Sequence, residues 1–461
     1  MRATFLVQVS FVRPSTHAFL HDSLWHLMRR LAVPGILGML IVSINSFVDA
    51  VFVGRWVGAA ALAGLALVFP LTIIISSLVG LLSAGVASIA SRSLGANDTA
   101  RQRNLLNLLF TLSLLLAGAV SVSGYGFARE WVALLGATGA VLEYGTAYYE
   151  ILVLNSFFTL FGLSSSMLIR ATGQIRQAMT YTAVAVVANM VLAAVLVRGL
   201  HLGVRGAAAG TGLAMLLYCG LNLAHLLRGR TALVLAPLRL HFDWDATREI
   251  LAIGSSAFVM QATNFVRQVL IFKSVAHYSS AAELAFFGAV YRVYGFSLLP
   301  AFGLLQALQP IVGINYGAGN YQRSQQAVRV FRLGGMALLL LISLPSLLFP
   351  AQVLGLLLPD TLFKAADLAR FRLLMLVLLS TPLASTGYVY FQATGQARLA
   401  TALSFGRELL FVPLVLLIPR VLGLSGIYYG LAIENGLYAL VVLLLTSWSF
   451  NQVKEPVLQA R

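Results

Sequence analysis

The sequence predicts an all-α polytopic membrane protein whose twelve transmembrane helices form two six-helix lobes, related by a pseudo-two-fold axis along the membrane normal. Three observations lead there. Hydrophobic residues make up 59% and charged residues 10% of the 461, with mean hydropathy +0.88, whereas soluble domains carry about 25% charged residues. Apolar runs of about 20 residues, long enough to cross a hydrocarbon core of about 30 Å, recur along nearly the whole chain. The second half also repeats the first. Ala171-Thr172-Gly173-Gln174 returns as Ala393-Thr394-Gly395-Gln396, Gly95-Ala96 as Gly317-Ala318, Leu31-Ala32-Val33 as Leu251-Ala252-Ile253, and 202–210 as 422–430. The four matches keep their order.

Residues 1–27 read as a retained cytoplasmic leader, because the patch FLVQVSFV is broken by Gln8, followed by Arg13-Pro14, and has no small-residue cleavage site. The N-terminal lobe, 28–227, holds spans at 31–54, 62–88, 104–126, 141–168, 176–198 and 204–227. A cytoplasmic linker at 228–245, rich in Arg and containing Pro237, leads to the C-terminal lobe, 246–450. Its spans fall at 248–275, 282–312, 330–350, 369–391, 399–420 and 423–447, and 451–461 is a cytoplasmic tail. Six spans per half is an even number, so the halves share one orientation, the arrangement of transporters whose lobes rock against each other.

A net charge of +16 suggests nucleic acid, but the basic residues are scattered through short connections rather than gathered on one face. Most lie in one alternate set of connections, including Arg29, Arg30, Arg92, Arg101, Arg228, Arg230 and Arg323. The positive-inside rule then puts both termini in the cytoplasm; the expected setting is a bacterial cell inner membrane, with membrane lipids as partners. Cys219 is the one cysteine and reads as a small buried hydrophobe. His17, His21 and His26 lack the Cys or carboxylate framework of a metal site, so no metal is expected.

No phosphate loop precedes any lysine, since Lys273, Lys364 and Lys454 follow Phe272, Phe363 and Val453. Neither HExxH nor GxSxG occurs, which argues against an embedded enzyme. An ion gradient remains as the energy source, with H+ or Na+ as coupling ion and no other cofactor. That directs attention to carboxylates inside spans, which cost about 2.5–3.5 kcal/mol each to insert. Asp49 stands about 27 Å along the first span, with Asn45 on its helix face at i, i+4. Asn189, Thr211 and Tyr148 reach similar depth on spans five, six and four. The five are a candidate coupling site. The second lobe carries Glu408, Glu434, Arg267, Arg292 and Arg407, expected to pair with one another, with Glu434 the member facing substrate.

LAVPGILGMLIVSINSFVDAVFVGRWVGAAALAGLALVFP resembles the first two spans of the multidrug and toxic compound extrusion (MATE) family. LLQALQPIVGINYGAGNYQR resembles its eighth span and the loop after it, and VYFQATGQARLATALSFGRELLFVPLVLLIP its tenth and eleventh spans. The resemblance implies a V-shaped cleft and export of bulky, often cationic, organic molecules in exchange for H+ or Na+. Within it Pro34 and Asp49 match the first-span proline and acid, Tyr148 the fourth-span tyrosine, Asn189 the fifth-span asparagine and Thr211 the sixth-span threonine. Many prokaryotic members carry an Asp four residues beyond that Asn, where this chain has Ala193. A hard cation wants several anionic oxygens whereas a proton needs one acid, so proton coupling through Asp49 is favoured. Pro34 is expected to let the first span bend. Phe157, Phe161, Met260, Gln261 and Tyr388 are expected to line the cleft of a monomeric transporter for small organic substrates. A lipid or lipid-linked saccharide flippase is the alternative and a lipid-modifying membrane enzyme a remote one.

Overall fold

The structure, a computed structural model, describes residues 14–359 and 361–452; the leader before residue 14 and the tail after 452 lie outside them. A short helix α1 (Pro14–His21) precedes α2 (Leu24–Trp56) and α3 (Ala59–Gly95), followed by α4 (Leu105–Gly126), α5 (Gly139–Leu154) and α6 (Ser156–Ala171). The first lobe ends with α7 (Ile175–Ala193), which continues as a π-helix over Ala194–Gly199, and α8 (Gly203–Leu227). The second comprises α9 (Trp244–Tyr278), α10 (Ala281–Gly317), α11 (Tyr321–Leu348), α12 (Ala365–Val377), α13 (Thr381–Ala393), α14 (Ala397–Leu422) and α15 (Leu424–Gln452). Such lengths follow from the solvent, since in lipid each backbone group must be satisfied within its own segment.

Ten helical stretches among the described residues are long and apolar enough to cross a membrane, and the pair α5 and α6 makes an eleventh. Span four is therefore not one straight rod. It bends by 53° at Asn155, whose amide donates back to the Ile151 carbonyl at 2.7 Å and lies where a Cβ on Gly212 would clash. The twelfth span is α9, 35 residues long but more polar, carrying Gln261, Asn264, Arg267 and Gln268 in its outer half.

Linker residues between Leu227 and Trp244 form no helix, and side chains beside α4 satisfy their backbone. Asn107 accepts from the Arg239 N–H and donates to the Pro237 carbonyl, both at 3.1 Å, while Gln102 and Thr111 accept from Val234 and His241.

Among the described residues the lobes share a core in the half that bears this linker. There one hydrophobic core draws on both, including Leu82, Val86, Ile250, Leu308, Ile311 and Phe391. In the other half the cores separate. Ile271, Phe287, Leu374 and Tyr428 belong to the second lobe alone, and Val68, Val132 and Val153 to the first. The seam is unusually close because its contacts are backbone on backbone. A Cβ on Gly254 would lie 1.8 Å from the Leu81 carbonyl oxygen, one on Gly85 2.4 Å from that of Ile250, and one on Gly35 2.6 Å from that of Gly303. Small residues at crossings are what allow such approach in a membrane, where hydrophobic attraction between helices is lacking. Polar links reinforce the seam. Arg92 pairs with Glu249 at 2.7 Å, the Ser88 hydroxyl donates to the Gln392 carbonyl at 2.6 Å, and the buried Arg170 donates to Gln306 at 2.5 Å.

Helix α1 straps this closed end. The Phe19 carbonyl accepts from Asn315 and Arg323 of the second lobe at 3.0 and 3.1 Å, and Arg323 also donates to the Asp22 carbonyl. The Phe19 ring fills the space a side chain would take at Gly173 of the first lobe, whose φ of +85° suits glycine.

Candidate ion-coupling site and cleft

Three helices bring four of the predicted polar side chains together. On α2 the i, i+4 pair places the Asn45 amide nitrogen 3.1 Å from Asp49 Oδ2. Asn189 of α7, nearly buried, satisfies both of its ends when its Nδ2 faces α2. In that orientation it donates to Asp49 Oδ1 and Asn45 Oδ1, each at 3.0 Å, and its oxygen accepts from the Thr211 hydroxyl of α8 at 3.2 Å. Thr211 also lies 3.2 Å from the Ala207 carbonyl of its own helix. Tyr148 of α5 packs one turn beyond, beside Val53, Val204 and Ala207, and interacts electrostatically with Asp49.

Both carboxylate oxygens of Asp49 thus accept from amide N–H groups, which compensates in part for a charge held away from water. Protonation of either oxygen removes its capacity to accept at that lone pair and frees an amide. Among the described residues no cluster of three His, Cys, Asp or Glu side chains exists that could hold a metal ion. Ala193, where a second acid would stand, is buried against Gly210 of α8 at the point where α7 passes into its π-helical turn. Pro34 lies within α2, which runs through it as one helix, next to Gly35 of the seam.

In the second lobe Glu434 has no exposed surface. It accepts two bonds from Arg267, at 2.9 and 3.2 Å, and one from Arg407 Nε at 3.1 Å, while Asn435 donates to it at 2.8 Å. Glu408 adds a longer contact to Arg267 at 3.5 Å, and the two guanidinium groups stack over Phe411 and Tyr438. Glu434 is thus fully engaged inside its lobe rather than facing a ligand. Arg292 does not join this cluster as expected; it is exposed and makes no ion pair among the described residues.

The expected cleft residues divide. Gln261 is half-buried on α9, and Met260 and Phe157 are half-buried against the shared core. Phe161 is fully enclosed, stacked on Phe157 at 5.8 Å and edge-on to Phe110, so it lies inside the first lobe. Tyr388 is buried and accepts at 2.8 Å from Gln392, whose carbonyl meets Ser88 at the seam. The glycine seam itself escaped sequence reasoning. Its signal is the recurrence of Gly80, Gly85 and Gly95 on α3 with Gly303, Gly313 and Gly317 on α10.

A family profile described as MatE matches residues 34–195 and 256–417, one stretch in each lobe. Curated relatives include a multidrug export protein MepA of Staphylococcus saprophyticus, 24% identical over 93% of this chain and 94% of its own, and one of Staphylococcus aureus, 23% identical over 91% and 92%. Among solved structures, an outward-facing multidrug resistance MATE family transporter superposes with TM-score 0.88 at 22% identity, covering 96% of this chain and 99% of that one. A MATE structure in a bent conformation gives the same figures.

Proposed function

The chain belongs to the MatE family, and from that footing we propose that it is a secondary active exporter of bulky organic compounds, driven by inward movement of H+ rather than Na+ and working by alternating access. Its setting is a bacterial inner membrane, with the linker and both termini in the cytoplasm. The opening between the lobes then faces outward, and the seam is the closed cytoplasmic gate. The observation that carries the proposal is the single carboxylate boxed by amides, Asp49 with Asn45 and Asn189. One acid suffices for a proton and supplies too few anionic oxygens for a sodium cage.

In the outward-open state a proton taken by Asp49 releases one amide donor, loosening α2 from α7 and α8 as substrate departs. The lobes then close above and part at the seam, the proton leaves to the cytoplasm, and a new substrate enters. The proton drives the cycle only because it binds the two states differently. Proteoliposomes carrying H+ and Na+ gradients set independently, loaded with ethidium or a neutral dye, test this. Export driven by the proton gradient and abolished in Asp49→Asn is expected; export that follows the sodium gradient alone overturns the proton assignment.

A further inference from the structure

The C-terminal wall of the opening carries a cation that nothing in the coupling site or the Glu434 cluster uses. Arg292 is exposed on α10, 11 residues before Gly303, the residue in backbone contact with Gly35 of the other lobe. Eleven residues return within about 20° of the same helix face, and Gln306, which reaches Met39 and Arg170 across the seam, lies within about 40° of it. Arg292 therefore stands on the face that touches the first lobe lower down, about 16 Å above that contact, where the lobes have parted. Asp49 stands about 21 Å above the same contact on α2. The space beside Arg292 is open, since a Cβ added at Gly288 or Gly295 would meet nothing within 4 Å. Phe296, on the same face, is 65% exposed. A guanidinium turned to hydrocarbon at this depth would be costly, and one turned to a water-filled cleft is not.

The neighbouring helix extends the wall. Gln261 and Gln268 follow Gly254 of the seam by seven and fourteen residues, which keeps both within about 40° of the face that meets α3. Ile74 of α3, 53% exposed, looks back across the gap by the same register from Gly85. One wall thus offers a guanidinium, two amides and an aromatic face, and Ile74 gives the other an apolar side chain opposite them.

We propose that Arg292, with Gln261 and Gln268, forms a headgroup site for organic anions, a carboxylate held by the guanidinium and amides while an apolar body lies against Phe296 and Ile74. This rests on the transporter reading above and narrows its substrate class away from simple lipophilic cations. Guanidinium matches carboxylate geometry with two parallel donors, which gives orientation as well as affinity.

Pyrenebutyrate, pyrenebutanol and pyrenebutylamine share one apolar body and differ in headgroup charge. Binding of each to the purified full-length protein, read by fluorescence polarisation, is expected to favour the butyrate over the alcohol by about tenfold, the scale of a charge-assisted hydrogen bond partly exposed to water. Arg292→Gln should bring that ratio near one, and Arg292→Lys should keep part of it. An amine that binds more tightly than the butyrate, or a ratio unmoved by Arg292→Gln, overturns the inference. Ethidium export in the same preparation separates the two levels: gradient-driven export without a butyrate preference removes the anion site and leaves the transporter, whereas a butyrate preference lost in Arg292→Gln without any gradient-driven transport keeps the site and removes the exporter.

Discussion

Gly254→Ala places a methyl carbon where the Leu81 carbonyl oxygen stands 1.8 Å away and its carbon 2.6 Å away. Both obstacles are backbone and cannot swing aside. A carbon meets a carbonyl oxygen comfortably at about 3.3 Å, so α3 and α9 must part by about 1.5 Å at this level. Overpacking of this kind costs about 1–3 kcal/mol. Because the penalty falls only on the conformation in which these helices touch, the ratio of seam-closed to seam-parted molecules should fall about 5- to 150-fold. Spin labels at the exposed residues Leu134 and Leu356, on the two lobes at the end away from the linker, would report it by electron–electron distance once Cys219 is replaced by Ala. The wild-type distribution should give way to a shorter, broader one in Gly254→Ala. Gly118→Ala, where a Cβ meets nothing within 4 Å, is the matched control and should leave the distances alone. Identical distributions for Gly254→Ala and wild type would refute a gate held by glycine backbone contact.

Asp49→Asn should retain fold and dye binding but lose proton release on substrate addition, measured with a pH-sensitive dye in weakly buffered detergent; undiminished release would exclude Asp49 as the carrier. Glu434→Gln leaves Arg267 and Arg407 without their shared anion, a loss of about 3–5 kcal/mol for a broken buried pair, and should show as early melting in a thiol-independent thermal-shift assay. Phe19→Ala withdraws the ring from Gly173, and hydrogen exchange in 169–175 should quicken several-fold while α14 and α15 stay protected. Unchanged exchange there would mean that α1 is not a strap.

Sequence periodicity and composition were enough for twelve spans because hydrocarbon imposes one length and one backbone solution on each of them. The proximity of Asn45 to Asp49 was legible for the same reason, as i, i+4 partners on one helix. Depth along separate spans also brought Asn189 and Thr211 to the right level, and only packing decided that α7 and α8 turn them toward α2. Direction around a helix is what depth omits. Phe161 and Tyr388 had suitable chemistry and height but point into their own lobes, and Glu434 is engaged by two arginines, Arg407 of the preceding helix and Arg267 of one far away in sequence. The bend at Asn155 was hidden because neither Gly nor Pro marks it, and the seam because glycine in an apolar run reads as filler until its opposite number is known.

Helices that meet through glycine and carbonyl groups have no interlocked knobs to withdraw, so such a joint can open and close many times at little cost per cycle. The same smoothness makes it intolerant of change, because any replacement of Gly254, Gly85 or Gly35 adds a doorstop. On the proposed site, adaptation to new compounds is therefore confined to the walls above, around Arg292, Phe296 and Ile74. A lineage under selection by toxic compounds would rewrite the upper half of its cleft while the closing edge beneath stayed letter for letter the same.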